Sequence, residues 1–342
     1  MKVILTGAGG FIAHHLLEHL LVNTSWQIVA TDSFRHKGVC DRLAEVLDAQ
    51  PQHRHRVDVI THDLSVPFSP QAAERIGPVD HILAVASQSH VDRSIKDPVP
   101  FVTNNVQVAL NTLELARTNL KREPHCKVLL VSSDEVYGPV TRVDDAHAEW
   151  ATILPSSPYS ASKAAQEAIS VAYWRSYGVP VVITNLMNVI GERQLTEKYL
   201  PMLIRRISRG ETVTIHGRPG EIGTRHYLHA RNAADAWLFL LREGPDVPRF
   251  PEARRPARYN IASDDVVSNL DLARKVAGII GKPLEYELVD FHSARPGHDP
   301  HYGLDPGKLA ALGWHPPVDF DTSLKKTVLW TLDNPRWLAG DE

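Results

Sequence analysis

The sequence predicts an α/β fold: a doubly wound parallel sheet of Rossmann type with a smaller C-terminal α/β substrate-binding domain. Three observations predict it. Short β-branched, apolar runs alternate with helically spaced segments through the first half of the chain, and runs apolar on both faces and separated by helices make a parallel sheet covered on both sides. A glycine-rich turn lies between the first run and the first helical segment. After about residue 190 the pattern loosens into loops rich in Gly, Pro and basic residues, the composition of a smaller lid.

Taken in order, the strand runs are "KVILTG", "QIVATD", "VDVITHD", "HILAVAS", "KVLLVSS" and "VVITNLMNV". Between them "FIAHHLLEHLL", "FVTNNVQVALNTLELAR" and "SASKAAQEAISVAYWRSYG" carry apolar residues at helical spacing, and the last stops at Gly178 before Pro180. The expected division is residues 1–190 for the sheet domain and 191–342 for the smaller one. "HARNAADAWLFLL" and "RYNIAS", within residues 226–262, regain helix and strand character and are expected to pack back on the sheet.

With 342 residues, the chain is long enough for two domains sharing one cleft. A charged fraction of 23% and a net charge of -3 give no pull toward nucleic acid or anionic lipid, so an anionic ligand has to be met by local basic groups. Cys40 and Cys126 make no disulfide framework, which points to a reducing compartment, the cytoplasm. No apolar run reaches the ~18 to 20 residues that span a bilayer. The cluster "HRH" at 53–55 lacks an orienting carboxylate, and no metal is expected.

Gly7, Gly10 and Ala13 recur at three-residue spacing across the first strand, turn and helix. Such glycines let the backbone approach a pyrophosphate, and the helix opening at Phe11 and Ile12 offers free amides and a favourable dipole. Asp32 ends the second strand, where a carboxylate accepts the ribose hydroxyls of NAD and repels the extra phosphate of NADP, although Arg35 nearby leaves NADP admissible. Asp63, with Leu64, reads either as an adenine contact or as a helix cap or turn.

The stretch "VSSDEVYG" puts Asp134 and Glu135 side by side after Ser133, at the end of an apolar run. It is either a solvated turn or an acid and a base held over a substrate: two close carboxylates do not both ionise cheaply, and one raised pKa leaves an acid beside a base. Both face one substrate only if the strand has ended at Ser133. In "SPYSASKAAQE", Tyr159 and Lys163 stand four apart on one helix face, where an ammonium lowers the pKa of a neighbouring phenol. Ser133 is the hydroxyl that would share the proton. Singly, Tyr159 is also a helix-face aromatic and Lys163 a solvated charge.

Together the glycine pattern, "SSDEVYG" and "YSASK" resemble the extended short-chain dehydrogenase/reductase superfamily. Within it the chain is most similar to the dTDP-glucose 4,6-dehydratase family, through "SHVDRSI" (89–95), "PSSPYSASKAAQE" (155–167), "EKYLP" (197–201) and "RPGHDPHYGLDPGKLAALGW" (295–314). The resemblance implies bound NAD, a nucleotide-sugar substrate and Ser133, Asp134, Glu135, Tyr159 and Lys163 as catalytic residues. It implies a sugar pocket at Ser89, His90 and Asp92, and diphosphate contacts at Asn188, Lys198, Arg225 and Arg295. His298 and Tyr302 either flank the nucleobase or pack in the core. A homodimer is implied too, through helices beginning near Phe101 and Ser160, whose apolar faces read equally as intramolecular core.

Ser133 stands where these relatives carry Thr, a tolerable exchange, whereas "NVIGERQ" replaces their "NNYGP" type and bears on which hexose nucleotide is accepted. The rival readings are a nucleotide-sugar 5,6-dehydratase forming an exocyclic alkene, a 4-epimerase, and a noncatalytic NAD-binding scaffold or sensor.

Overall fold

Five of the six predicted runs each become one strand, and the sixth, "VVITNLMNV", becomes two, in the computed structural model, which describes residues 1–140, 145–290 and 301–339. The order through the first half is β1 (Lys2–Thr6), α1 (Phe11–Asn23), β2 (Gln27–Asp32), α2 (Val39–Ala49), β3 (Val57–Thr61), α3 (Pro70–Ile76), β4 (His81–Ala84), α4 (Val91–Lys96), α5 (Pro98–Asn119), β5 (Lys127–Ser133) and α6 (Pro158–Tyr177). There follow β6 (Val181–Leu186), β7 (Asn188–Ile190), α7 (Tyr199–Arg209), β8 (Val213–Arg218), β9 (Glu221–Ile222), β10 (Thr224–His229), α8 (Ala230–Arg242), β11 (Ala257–Ile261), β12 (Val266–Ser268), α9 (Asn269–Ile280) and β13 (Tyr286–Val289).

Seven strands form one parallel sheet in the order β11-β6-β5-β4-β1-β2-β3. Their apolar residues point to both faces, so both are covered. One layer is built on Leu16, Leu20, Leu43 and Trp237 from α1, α2 and α8. The other is built on Leu113, Ala116 and Trp174 from α5 and α6. This is the doubly wound Rossmann arrangement expected. The "RYNIAS" segment supplies β11, which pairs with β6, and α8 lies against α1.

The run "VVITNLMNV" is not one strand. It leaves the large sheet after Leu186, and Asn188–Ile190 pairs instead with β10 in a separate three-stranded sheet. Both halves are apolar, so the sequence carries no mark at the crossing. A third sheet, β13-β8-β9, includes the hairpin around Gly220. These small sheets share a core with α7, α9 and the helix Phe320–Asp333, centred on Leu203, Leu272 and Leu324. Among the described residues no helix is long and apolar enough to cross a membrane.

Candidate active site

The strand order reverses between β1 and β4, and there the connections leaving the sheet part to open a crevice. A cleft of about 1270 Å³ occupies it. Gly7, Gly10, Phe11, Ile12, Asp32, Asp63 and Leu64 line one end, and Ser133, Asp134, Glu135, Tyr159 and Lys163 line its floor. Ser89, His90, Asp92, Asn188, Lys198, Arg225 and Tyr302 line the end toward the smaller sheets. Arg295 and His298 lie outside the described residues.

Gly7 sits at φ +66, and a Cβ there would come within 2.9 Å of Ala86 Cα on the far side of the crevice. The turn therefore demands glycine. The next residues open α1, whose first amides have no intrahelical acceptor, and Gly10, Phe11 and Ile12 line the cleft. Ala13 is buried against the sheet, small enough for close packing. Asp32 braces the turn: Oδ2 accepts from Gly9 N at 3.0 Å, and Oδ1 from Phe34 N at 3.1 Å. A carboxylate keeps further lone pairs for ribose hydroxyls. Arg35 pairs with Asp63 at 2.8 Å, and Asp63 also accepts from Ser65 N at 2.9 Å, so Asp63 closes a turn while it lines the same end of the cleft. With a glycine cradle, a helix N-terminus and an acidic strand end, these residues fit a dinucleotide such as NAD.

At the floor, β5 ends at Ser133 and the chain turns into a 3-10 helix, Asp134–Val136. That change of direction brings both carboxylates to the cleft wall. The Ser133 hydroxyl donates to Asp134 Oδ1 at 2.9 Å. Asp134 is buried, and its Oδ2 has no hydrogen-bond partner among the described residues. Burial pushes its carboxyl up to about 6, against the Ser133 hydrogen bond and the charge of Arg225.

Tyr159 and Lys163 share a face of α6, yet the ammonium is directed elsewhere. Lys163 Nζ donates to Val131 O at 2.7 Å and to Gln166 Oε1 at 2.6 Å. Burial brings it down to about 8, with Glu167 holding it up. The expected lowering of the phenol by this ammonium does not occur in this geometry. Burial, then the carboxylates of Glu135 and Asp134, push Tyr159 well above the ordinary phenol value, and the Ser133 hydroxyl draws it back. Tyr159 is positioned by its amide, which donates to Ser94 Oγ at 3.1 Å, and by an edge-to-face contact with Phe101.

Toward the smaller sheets, His90 caps α4 by accepting from Arg93 N at 3.3 Å, and Asp92 lies in that helix's first turn. Lys198 Nζ donates to Ser89 O at 2.9 Å; burial lowers its pKa, offset by Glu197, Glu135 and Asp92. Arg225 stacks over the buried Tyr302 ring at 4.6 Å, on β10 beside β7, where Asn188 pairs with Tyr227. Sequence reasoning missed Ser94, Gln166 and Glu197. The first lies inside "SHVDRSI" and the last beside Lys198 in "EKYLP", so the motifs held them without marking them. Glu197 lines the cleft and bonds Arg93 at 2.7 Å. Among the described residues no group of three or more His, Cys, Asp or Glu is placed to hold a metal ion.

Known proteins share this architecture over the whole chain. A dTDP-glucose 4,6-dehydratase of Shigella flexneri is 30% identical, the match covering 99% of this chain and 95% of the relative. A dTDP-glucose 4,6-dehydratase from Streptomyces venezuelae, crystallised with NAD, superposes with a TM-score of 0.85 at 30% identity, over 98% of each chain. The UDP-glucose 4-epimerase of Thermus thermophilus, also in complex with NAD, gives 0.79 at 27% identity, over 96% of this chain and 98% of its own. The family model described as GDP-mannose 4,6 dehydratase matches residues 4–327, and the chain belongs to that family, within the extended short-chain dehydrogenase/reductase superfamily.

Proposed function

We propose that this chain is an NAD-dependent nucleotide-sugar 4,6-dehydratase, a hydro-lyase converting an NDP-hexose to the NDP-4-keto-6-deoxyhexose. One observation carries the reading: the buried Asp134 and its neighbour Glu135 line the same cleft as Tyr159 and Lys163. Epimerisation at carbon 4 needs only oxidation and reduction there, whereas loss of water needs an acid and a base besides. The dehydratase relatives support the same reading.

Bound NAD would supply the hydride acceptor for sugar carbon 4 and, once reduced, the hydride donor for carbon 6. Tyr159 removes the proton of the 4-hydroxyl, with Ser133, whose hydroxyl favours the phenolate, sharing it, while Lys163 keeps its positive charge in the same cleft floor. The 4-ketone acidifies the hydrogen on carbon 5. Glu135 removes that proton while Asp134 gives its own to the departing 6-hydroxyl, which leaves as water. Carbon 5 then takes back the proton from Glu135. Tyr159 ends with one proton more and Asp134 with one fewer, and Ser133, which bonds Asp134 and acts on the Tyr159 phenol, lies between them.

Ser89, His90 and Asp92 face the hexose in this reading, and Asn188, Lys198, Arg225 and Arg295 the diphosphate, with His298 and Tyr302 toward the base. Gly7, Gly10, Phe11, Ile12, Asp32, Asp63 and Leu64 hold the cofactor. The division into a dinucleotide domain (1–190, joined by 226–262) and a nucleotide-sugar domain (191–342) belongs to the same proposal, as do a cytoplasmic location and a homodimer through α5 and α6. Incubation with dTDP-glucose, UDP-glucose and UDP-N-acetylglucosamine, followed by mass spectrometry, tests the activity. A keto sugar lighter by one water is expected from at least one of them; all three intact after prolonged exposure sinks the reading.

A further inference from the structure

Behind the cleft floor lies a buried polar network that no step above uses. Arg258 on β11 and Glu167 on α6 form an ion pair at 2.5 Å, each 1% exposed. Glu167 Oε1 accepts from Asn185 Nδ2 at 2.7 Å, and the same amide donates to Ser133 O at 3.0 Å. On its other edge Arg258 Nη1 donates to the Tyr137 hydroxyl at 3.2 Å and to Glu149 O at 3.0 Å. The Tyr137 hydroxyl in turn donates to Glu149 O at 2.8 Å, and Arg258 stacks on Trp150 at 4.2 Å.

Ser133 and Tyr137 are the two residues that flank the turn Asp134–Val136. One guanidinium thus grips both ends of the segment carrying the acid and the base, and none of Arg258, Glu167, Asn185 and Tyr137 lines the cleft. Against well-packed apolar residues of similar size, a buried ion pair gives little net stability, because desolvation offsets its Coulombic gain. Positioning is what the geometry offers instead. Tyr159 is held by different partners, Ser94 and Phe101, and Lys163 by Val131 O and Gln166; the network reaches Lys163 through the charge of Glu167, which Tyr137→Phe leaves in place.

We propose that Arg258, acting through Glu167, Asn185 and Tyr137, is a positioning residue that fixes Asp134 and Glu135 for elimination. The proposal rests on the dehydratase reading. The double variant Arg258→Met with Glu167→Gln removes both charges together, and Tyr137→Phe keeps both charges but cuts the link to the turn. Each is loaded with NAD and mixed with a nucleotide sugar that the wild-type chain dehydrates, while near-ultraviolet absorbance follows reduced nicotinamide and mass spectrometry follows water loss.

In Tyr137→Phe oxidation is expected to stay within a few-fold of wild type while elimination slows by up to about 100-fold, the cost of a small misplacement of reacting groups, so reduced nicotinamide builds up transiently; the double variant, which also takes the Glu167 charge from Lys163, is expected to slow elimination more than oxidation. Amide hydrogen exchange across residues 134–138 is expected to quicken in the free variants. Equal slowing of oxidation and elimination, or wild-type elimination with unchanged exchange, overturns the proposal. Should the double variant not fold, Tyr137→Phe carries the same test alone. If the wild-type chain dehydrates nothing, the dehydratase reading fails instead, and the exchange measurement still decides whether the network holds the turn.

Discussion

The Ser133 hydroxyl donates to Asp134 Oδ1 across 2.9 Å, which in the proposed mechanism ties the hydroxyl beside Tyr159 to the acid of the elimination step. Ser133→Ala removes both services at once. Turnover is expected to fall by roughly 100-fold, within the range for lost proton-transfer catalysis, while Ser133→Thr keeps most of it. Steady-state kcat for the two variants checks this; an Ala variant as active as the Thr variant excludes a proton role for the hydroxyl.

Asp134 trades stability for acidity. Its carboxyl stands at about 6 in the folded chain against an ordinary 3.8, so the folded state binds the proton more tightly than the unfolded one. Stability is therefore lost as pH rises between those values, the loss reaching about 3 kcal/mol above pH 6. Asp134→Asn is expected to raise the thermal midpoint at pH 8, to lose that advantage below pH 4, and to slow elimination at every pH, whereas wild-type elimination is expected to fall as pH rises past about 6. A variant less stable than wild type at pH 8 contradicts the buried charge.

Glu135→Gln keeps the size of the side chain and removes the base. Elimination is expected to stop while oxidation at carbon 4 remains partly intact, so reduced nicotinamide persists in the mixture. Rapid-mixing absorbance reads this directly, and a fully active variant removes Glu135 from the mechanism.

Asp32 braces Gly9 and Phe34, and in the proposed reading it also accepts the ribose hydroxyls. Hydrogen bonds to a charged group contribute about 1.5 to 3 kcal/mol each. Asp32→Ala is expected to weaken NAD binding by at least about 10-fold, measured by calorimetry on cofactor-free protein. Unchanged affinity excludes Asp32 from the ribose site.

The sheet was legible because parallel strands buried on both faces leave apolar runs in the sequence, and the cleft was legible because glycines and a strand-end acid mark its edge. The course of single side chains was not. Spacing puts Tyr159 and Lys163 on one helix face, but not the turn of Lys163 toward Val131 O. The break after Leu186 passed unread because apolar residues continue through it into Asn188–Ile190. The Arg258–Glu167 pair joins residues 91 apart, a contact that no local pattern announces.

The most direct measurement follows deuterium placed on carbon 4 of the accepted nucleotide sugar through a complete turnover. Deuterium at carbon 6 of a 4-keto product that has lost water is the expected result. Deuterium returned to carbon 4 beside an exocyclic alkene, or found in an isomer with all its oxygens, contradicts it.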